Sequence, residues 1–268
     1  MRVVITTVVF DYGGVISSPL FVGIGDFEVA EGYPKGSLLR LLFGEVDYVG
    51  VEGRAVAAEV AAVTDAVVGD PDAAEASGEV VDEPDWHLLE KGQIDVATYF
   101  TRLTERAPAI LGTEIDMEAY GRFWRQGAPG VHWMVVQKIR ELKDRGLRLG
   151  LLTNNVKEFG EHWRTMFPLE ELFEEVVDSS HVGMRKPERG IYELTCSRMG
   201  IEPTEAIFID DNLDNVAAAR AYGMAAVHFG TNPWDALAEL DAILAGQAQI
   251  RRPGQLTEVA RAIEGRRS

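Results

Sequence analysis

The chain has 268 residues, 46% apolar and 26% charged, which suits one large or two small globular domains and excludes wholesale disorder, collagen and disulfide frameworks. A net charge of −17 makes nucleic acid a poor partner, because its phosphate backbone would be repelled. The single cysteine, Cys196, excludes an intramolecular disulfide and fits a reducing cytoplasm.

The chain starts MRVVITTVVFD. Its apolar and hydroxyl run, Val3–Phe10, is too short for a bilayer and has no cleavage-like segment, so neither a membrane span nor a signal peptide is expected. The β-branched and aromatic content suits a strand buried on both faces of a parallel sheet. Between Asp11 and Gly130 no further buried strand is evident. Helical patterns fill the interval: Gly36–Phe43, Arg54–Val68, Asp85–Leu89, Val96–Ala107 and Met117–Trp124. This predicts a helical domain inserted after the first strand. Inside it, Gly69–Asp85 is acidic and turn-rich and reads as a mobile loop. Residues 45–85 hold twelve acids and one base, Arg54, whereas residues 248–268 hold five arginines and two glutamates. The two could meet within a protomer or across a homodimer; two solvated surfaces is the plainer reading.

From residue 131 strands and helices alternate. A helix over Val131–Arg145 presents Val135, Ile139 and Leu142 on one face. Strands are expected at Leu147–Leu152, Glu174–Asp178, Ala206–Ile209 and Ala225–Phe229. Helices are expected at Pro187–Met199, burying Ile191, Leu194 and Cys196, and at Leu213–Tyr222, Pro233–Gly246 and Gln255–Ile263. Short connections between them imply right-handed crossovers and an α/β fold: a doubly wound, Rossmann-like parallel sheet with an inserted helical cap. The core is expected over 1–17 and 128–235, the cap over 18–127 and a C-terminal helical extension over 236–268.

Four features fall where strands end: Asp11 in FDYGGV, Thr153-Asn154-Asn155 after LRLGLL, Lys186 in GMRKPE, and Asp210-Asp211-Asn212 after AIFI. In an open α/β sheet the carboxyl ends of the strands form the ligand crevice, so the fold gathers these distant residues. Three carboxylates without thiols make an oxygen-only site suited to Mg²⁺. An aspartate beside such an ion can attack phosphorus. Thr153 can donate its hydroxyl to a phosphoryl oxygen, and Lys186 can neutralise charge.

The motifs FDYGGV, LLTNN, GMRKPERGIYE and IFIDDNLDNVAAARAYGM resemble, in order and spacing, the four motifs of the haloacid dehalogenase-like superfamily. The helical insertion resembles the type 1 cap of its phosphatase-like branch, which includes the N-terminal domain of soluble epoxide hydrolases. The resemblance implies an aspartyl-phosphate at Asp11. It implies Mg²⁺ on Asp11, the Gly13 carbonyl and Asp211, with Asp210 behind, and phosphoryl contacts from Thr153 and the Asn154 amide. Lys186 would bridge nucleophile and phosphoryl group. The implied activity is a Mg²⁺-dependent phosphatase acting on a small phosphorylated metabolite.

Gly13 departs from that pattern. Most phosphatases of the family carry a second aspartate there, which protonates the leaving group and then activates water. General acid–base help is worth about 10²–10⁴-fold. A leaving group of low pKa, such as an anomeric or acyl phosphate, needs less of it, and the resemblance extends to Asp-x-Gly members regarded as sugar-phosphate phosphatases. The alternative is a catalytically weak module that binds a phosphorylated ligand or a protein. The dehalogenase branch fits less well, because Tyr12 stands one place early and the acidic pair is present.

Plainer readings stand beside these. Asp11 alone would cap a turn, Lys186 alone would be a solvated loop lysine, and Asn212 caps the following helix. His87 and Glu90 share a helix face and could point into the crevice, His87 towards substrate; a surface-exposed cap helix is slightly ahead. Trp86, Trp124 and Trp133 read as core. His132, His162 and His181 lack the spacing of a transition-metal site. Cys196 reads as a small buried apolar residue.

Overall fold

The computed structural model describes residues 4–19, 21, 23–44, 83–126, 130–160 and 162–246. The expected helices Arg54–Val68 and Gln255–Ile263, nearly all of the Gly69–Asp85 loop and the arginine-rich tail lie outside them.

Five parallel strands form one sheet in the order β3-β2-β1-β4-β5. They are β1 (Thr7–Phe10), β2 (Arg148–Thr153), β3 (Glu175–Asp178), β4 (Ala206–Asp210) and β5 (Ala225–His228). The first strand is shorter than the predicted Val3–Phe10. Its neighbours begin at Arg148 and Ala206, both paired with Thr7; Thr6 still donates to the Glu205 carbonyl at 2.9 Å and accepts from the Arg148 amide at 3.0 Å, where the ladders start. Val4 accordingly stands exposed.

Alternation along each strand sorts the side chains onto two faces. Val8, Phe10, Leu149, Leu151, Ile207, Ile209 and Val227 pack on one side with α6 (Trp133–Asp144) and α11 (Pro233–Leu244). Val9, Leu152, Val177, Phe208 and Ala226 pack on the other with α9 (Arg189–Met199) and α10 (Leu213–Tyr222). Each large apolar side chain so buried contributes about 1.5–3 kcal/mol. The sheet is doubly wound, as expected. Leu194 is only partly buried on α9; Tyr192 and Thr195 join Ile191 and Cys196 inside.

Five helices lie between β1 and α6 among the described residues: α1 (Ile24–Glu31), α2 (Ser37–Phe43), α3 (Asp85–Glu90), α4 (Val96–Leu111) and α5 (Met117–Gln126). No strand is described there, only single bridges from Ser17 to Gly13 and to Val131. These helices share a hydrophobic cluster of their own, built on Leu38, Leu41, Leu42, Trp86, Tyr99 and Leu103. Helix α1 was not expected, and α4 runs through Pro108, where the prediction stopped. Trp86 is core, as expected, and Trp124 packs partly buried against the cluster. Trp133 is not core: it opens α6 and is 58% exposed. Two short helices complete the framework, α7 (Leu169–Leu172) and α8 (Ser179–Val182).

Candidate active site

The chain runs β1, β2, β3 to one side, then crosses to β4 and β5 on the other. The order therefore switches between β1 and β4, the crevice where ligands bind in such sheets. Phe10 is in register with Ile209, and the Asp11 amide donates to the Ile209 carbonyl at 2.9 Å. The residues that follow, Asp11 and Asp210, are thus brought side by side by the ladder itself.

One carboxylate oxygen from each of Asp11, Asp210 and Asp211 lies within 4.8 Å of the others. Lys186, 1% exposed, reaches into this group. Its Nζ lies 2.7 Å from Asp11 Oδ1 and 2.7 Å from Asp210 Oδ2, and donates to the Leu152 carbonyl at 3.0 Å. The reading of Lys186 as a solvated lysine is overturned. Asp210 is fully buried and held by more than the lysine: its Oδ1 accepts from the Asn212 amide at 2.8 Å and from Asn215 Nδ2 at 3.0 Å. Asn212 also caps α10, its Oδ1 accepting from the amides of Asp214 and Asn215.

Electrostatics follow from burial. Desolvation pushes the Asp11 carboxyl up to about 7, against the pull of Lys186 and with a further push from Asp210. Burial likewise raises Asp211 well above the usual carboxylate range, helped by Asp210 and Asp11. Burial disfavours the Lys186 charge, but Asp11 and Asp210 together outweigh it and raise its pKa. One lysine cannot offset three ionised carboxylates, so full ionisation of the group calls for a further cation. The donor set is all oxygen, which suits a hard divalent cation.

Gly14 makes room for this set. It adopts φ +75°, a left-handed conformation. A Cβ there would lie 1.9 Å from Asp211 Oδ2, so no side chain is compatible with the observed position of Asp211. Gly13 differs: a Cβ at that position meets nothing within 4 Å.

Thr153, last residue of β2, is buried, with Oγ1 donating to the Asn154 carbonyl at 3.3 Å. Asn154 spends its side chain on Lys186, accepting from the lysine amide at 2.9 Å and donating to its carbonyl at 3.0 Å. His87 is buried on α3 within the helical layer rather than on an exposed surface helix. Glu90, on the same helix, accepts from Trp86 Nε1 at 2.8 Å and from Arg185 Nε at 2.7 Å. Glu90 was read from sequence as sharing a helix face with His87 that could point into the crevice; Arg185, Ser179, Asn215 and Gly14 were not singled out. The only sequence signals for them were the paired glycines after Asp11 and the arginine beside Lys186.

A family model for haloacid dehalogenase-like hydrolases matches residues 5–223. The chain belongs to the haloacid dehalogenase-like hydrolases. Its relatives include phosphatases. It is 29% identical over 153 residues to the sesquiterpene phosphatase astK of Aspergillus oryzae, covering 56% of this chain and 75% of that protein. It is 27% identical over 130 residues to a glyceraldehyde 3-phosphate phosphatase of Methanopyrus kandleri, covering 47% of this chain and 55% of that one. Among solved structures, a family enzyme from Bacteroides thetaiotaomicron in complex with magnesium and inorganic phosphate superposes with a TM-score of 0.52. That likeness spans 84% of this chain and 93% of the other at 18% identity, which shows the fold alone, and a dehalogenase shares it too.

Proposed function

We propose that the protein is a Mg²⁺-dependent phosphatase that hydrolyses a small phosphorylated metabolite through an aspartyl-phosphate at Asp11. The observation that carries this reading is the buried contact of Lys186 with Asp11 and Asp210 at the sheet's switch point, beside the Asp211 carboxylate. A dehalogenase has no use for an all-oxygen acidic cluster, whereas phosphoryl transfer needs positioning and charge neutralisation.

In this mechanism one Asp11 oxygen attacks phosphorus, the Asp11–phosphorus bond forms, and the bond to the leaving oxygen breaks. Water then attacks the same phosphorus, phosphate departs, and the Asp11 carboxylate is restored. Lys186 holds Asp11 in place and neutralises charge on the phosphoryl oxygens. Thr153 Oγ1 and the Asn154 amide bind those oxygens. Asp210 orients Lys186. Asp11, Asp211 and the Gly13 carbonyl would hold a divalent cation, which would supply further charge neutralisation at the phosphoryl group.

No side chain at Gly13 can protonate the leaving oxygen. The substrate class favoured is therefore one whose leaving group departs without a proton, an anomeric or acyl phosphate. The test is phosphate release across sugar, acyl, nucleotide and terpenoid phosphates, with Mg²⁺ and with EDTA, alongside Asp11→Asn. Metal-dependent turnover that Asp11→Asn lowers by several orders of magnitude is expected. Turnover surviving intact in Asp11→Asn removes the mechanism. A folded, Mg²⁺-binding protein that releases phosphate from nothing favours the ligand-binding reading, which Gly13 and the acidic stretch 45–85 motivate.

A further inference from the structure

The helical layer meets the sheet's functional loops at one place, the C-terminal end of α3. Trp86 sits in the aromatic cluster, stacked on Trp124 with ring centroids 6.0 Å apart and 5.3 Å from Phe21. One turn later Glu90 accepts the Trp86 indole N–H, so its carboxylate is tied to the aromatic cluster of that layer. The second oxygen takes Arg185 Nε, and both side chains of this ion pair are close to nine-tenths buried. Arg185 directly precedes Lys186, whose own backbone Asn154 clasps from the other side.

The same residue also reaches the other phosphoryl-binding loop. The Glu90 carbonyl accepts from Ser179 Oγ at 2.6 Å, and Ser179 Oγ accepts from the Asn155 amide at 3.0 Å. Two residues on, Gly92 has φ +64°, and a Cβ there would lie 2.6 Å from the Ser180 carbonyl, an approach that a side chain would block. Lys91 adds an ion pair to Glu188 at 3.2 Å. Stability does not require a buried charged pair, since apolar side chains of equal volume serve as well. What such a pair adds is direction: a guanidinium gripped at one nitrogen sets the course of the backbone beside it.

We propose that Glu90 and Arg185 are positioning residues, holding the backbone at Lys186 in place and coupling the seating of α3 to both phosphoryl-binding loops. The catalytic consequence rests on the phosphatase reading; the structural coupling does not. A misplacement of about 1 Å at such a group can cost on the order of 100-fold in rate. Two variants test the proposal. Glu90→Gln removes the charge, and Glu90→Leu with Arg185→Met removes the pair while keeping volume, which guards against a variant that fails to fold. Hydrogen exchange of the 183–188 segment and steady-state phosphate release are read together with the melting temperature. The expected result in the double variant is a folded protein whose melting temperature falls only by the lost acceptor of the Trp86 indole N–H, exchange at 183–188 at least tenfold faster, and kcat lowered about 10- to 100-fold with KM within threefold. Unchanged exchange and unchanged kcat in a folded double variant overturn the proposal. If the wild type releases phosphate from no substrate, the phosphatase reading fails and exchange at 183–188 alone decides the coupling.

Discussion

Gly13 and Gly14 are neighbours with opposite meanings. Gly14 is glycine by necessity, since its left-handed backbone lies under the Asp211 carboxylate. Gly14→Ala must displace Asp211, at a backbone cost of about 1–2 kcal/mol in addition to the clash. Gly13 has open space and no positive φ, so Gly13→Asp can be accommodated. Phosphate release from unactivated monoesters is expected to rise in Gly13→Asp by at least tenfold, approaching the range of general acid–base help. A fall would show that the native site has its own proton donor.

The acids also make stability depend on pH. Asp11 titrates near 7 in the folded protein because burial disfavours its charge, and Asp211 is raised for the same reason. The folded state therefore holds protons that the unfolded chain has released above about pH 4. This contribution is complete below the unfolded value and is lost as pH rises through the folded one, so the metal-free protein loses stability from about pH 4 to 7. On the proposed reading a divalent cation would replace those protons. Added Mg²⁺ is expected to raise the melting temperature more at pH 7.5 than at pH 5, by an amount equivalent to about 2.7 kcal/mol at a hundred times Kd. Gly14→Ala and Asp211→Asn are expected to abolish the shift. A shift of equal size in either variant would place the ion elsewhere.

Single elements carry the site because their ends do two tasks. Helix α10 begins with Asn212, whose side chain caps the helix while its amide binds Asp210. Asn212→Ala is expected to cost about 1 kcal/mol in urea unfolding at unchanged m-value, the usual loss for a cap. It should also reduce Mg²⁺ affinity, because the same loop carries Asp211. Strand β1 contributes its carboxylate through register. Pairing of Phe10 with Ile209 brings Asp11 level with Asp210, which a slip of one residue would turn to the opposite face. Helix α3 does the same on the other side of the crevice. Its six residues bury Trp86 in the helical layer and deliver Glu90 to Arg185.

Among the described residues three hydrophobic clusters divide the labour, one on each face of the sheet and one in the helical layer. The sheet and its flanking helices hold every carboxylate of the site, whereas the helices between β1 and α6 pack around Leu38, Leu41 and Leu103. Truncation inside the helical cluster is expected to weaken the fold without touching the ion. Leu103→Ala, at a fully buried position, should cost about 2–5 kcal/mol yet leave the Mg²⁺-induced rise in melting temperature intact. Loss of that rise would mean that the helical layer shapes the metal site directly.

Much of this was legible before any coordinates. Strands read from β-branched runs and helices read from apolar spacing depend on local chemistry, and the predicted starts and ends of β2 to β5 and α10 differ from the observed ones by at most one residue. The grouping of Asp11, Asp210, Asp211 and Lys186 was also legible, because strand ends in a parallel sheet must share an edge. Other features depend on partners far away in the chain. The shortness of β1 is set by where Arg148 and Ala206 begin, and the exposure of Trp133 by what fails to cover the start of α6. The burial of Lys186, the clasp of Asn154 and the bond from Glu90 to Arg185 likewise arise from groups 24 to 95 residues apart. The sequence by itself determined which chemistry the site contains, since side-chain type and strand position are local properties. Only the tertiary structure decided how that chemistry is held, because burial and hydrogen bonding are properties of the neighbours that the fold brings together.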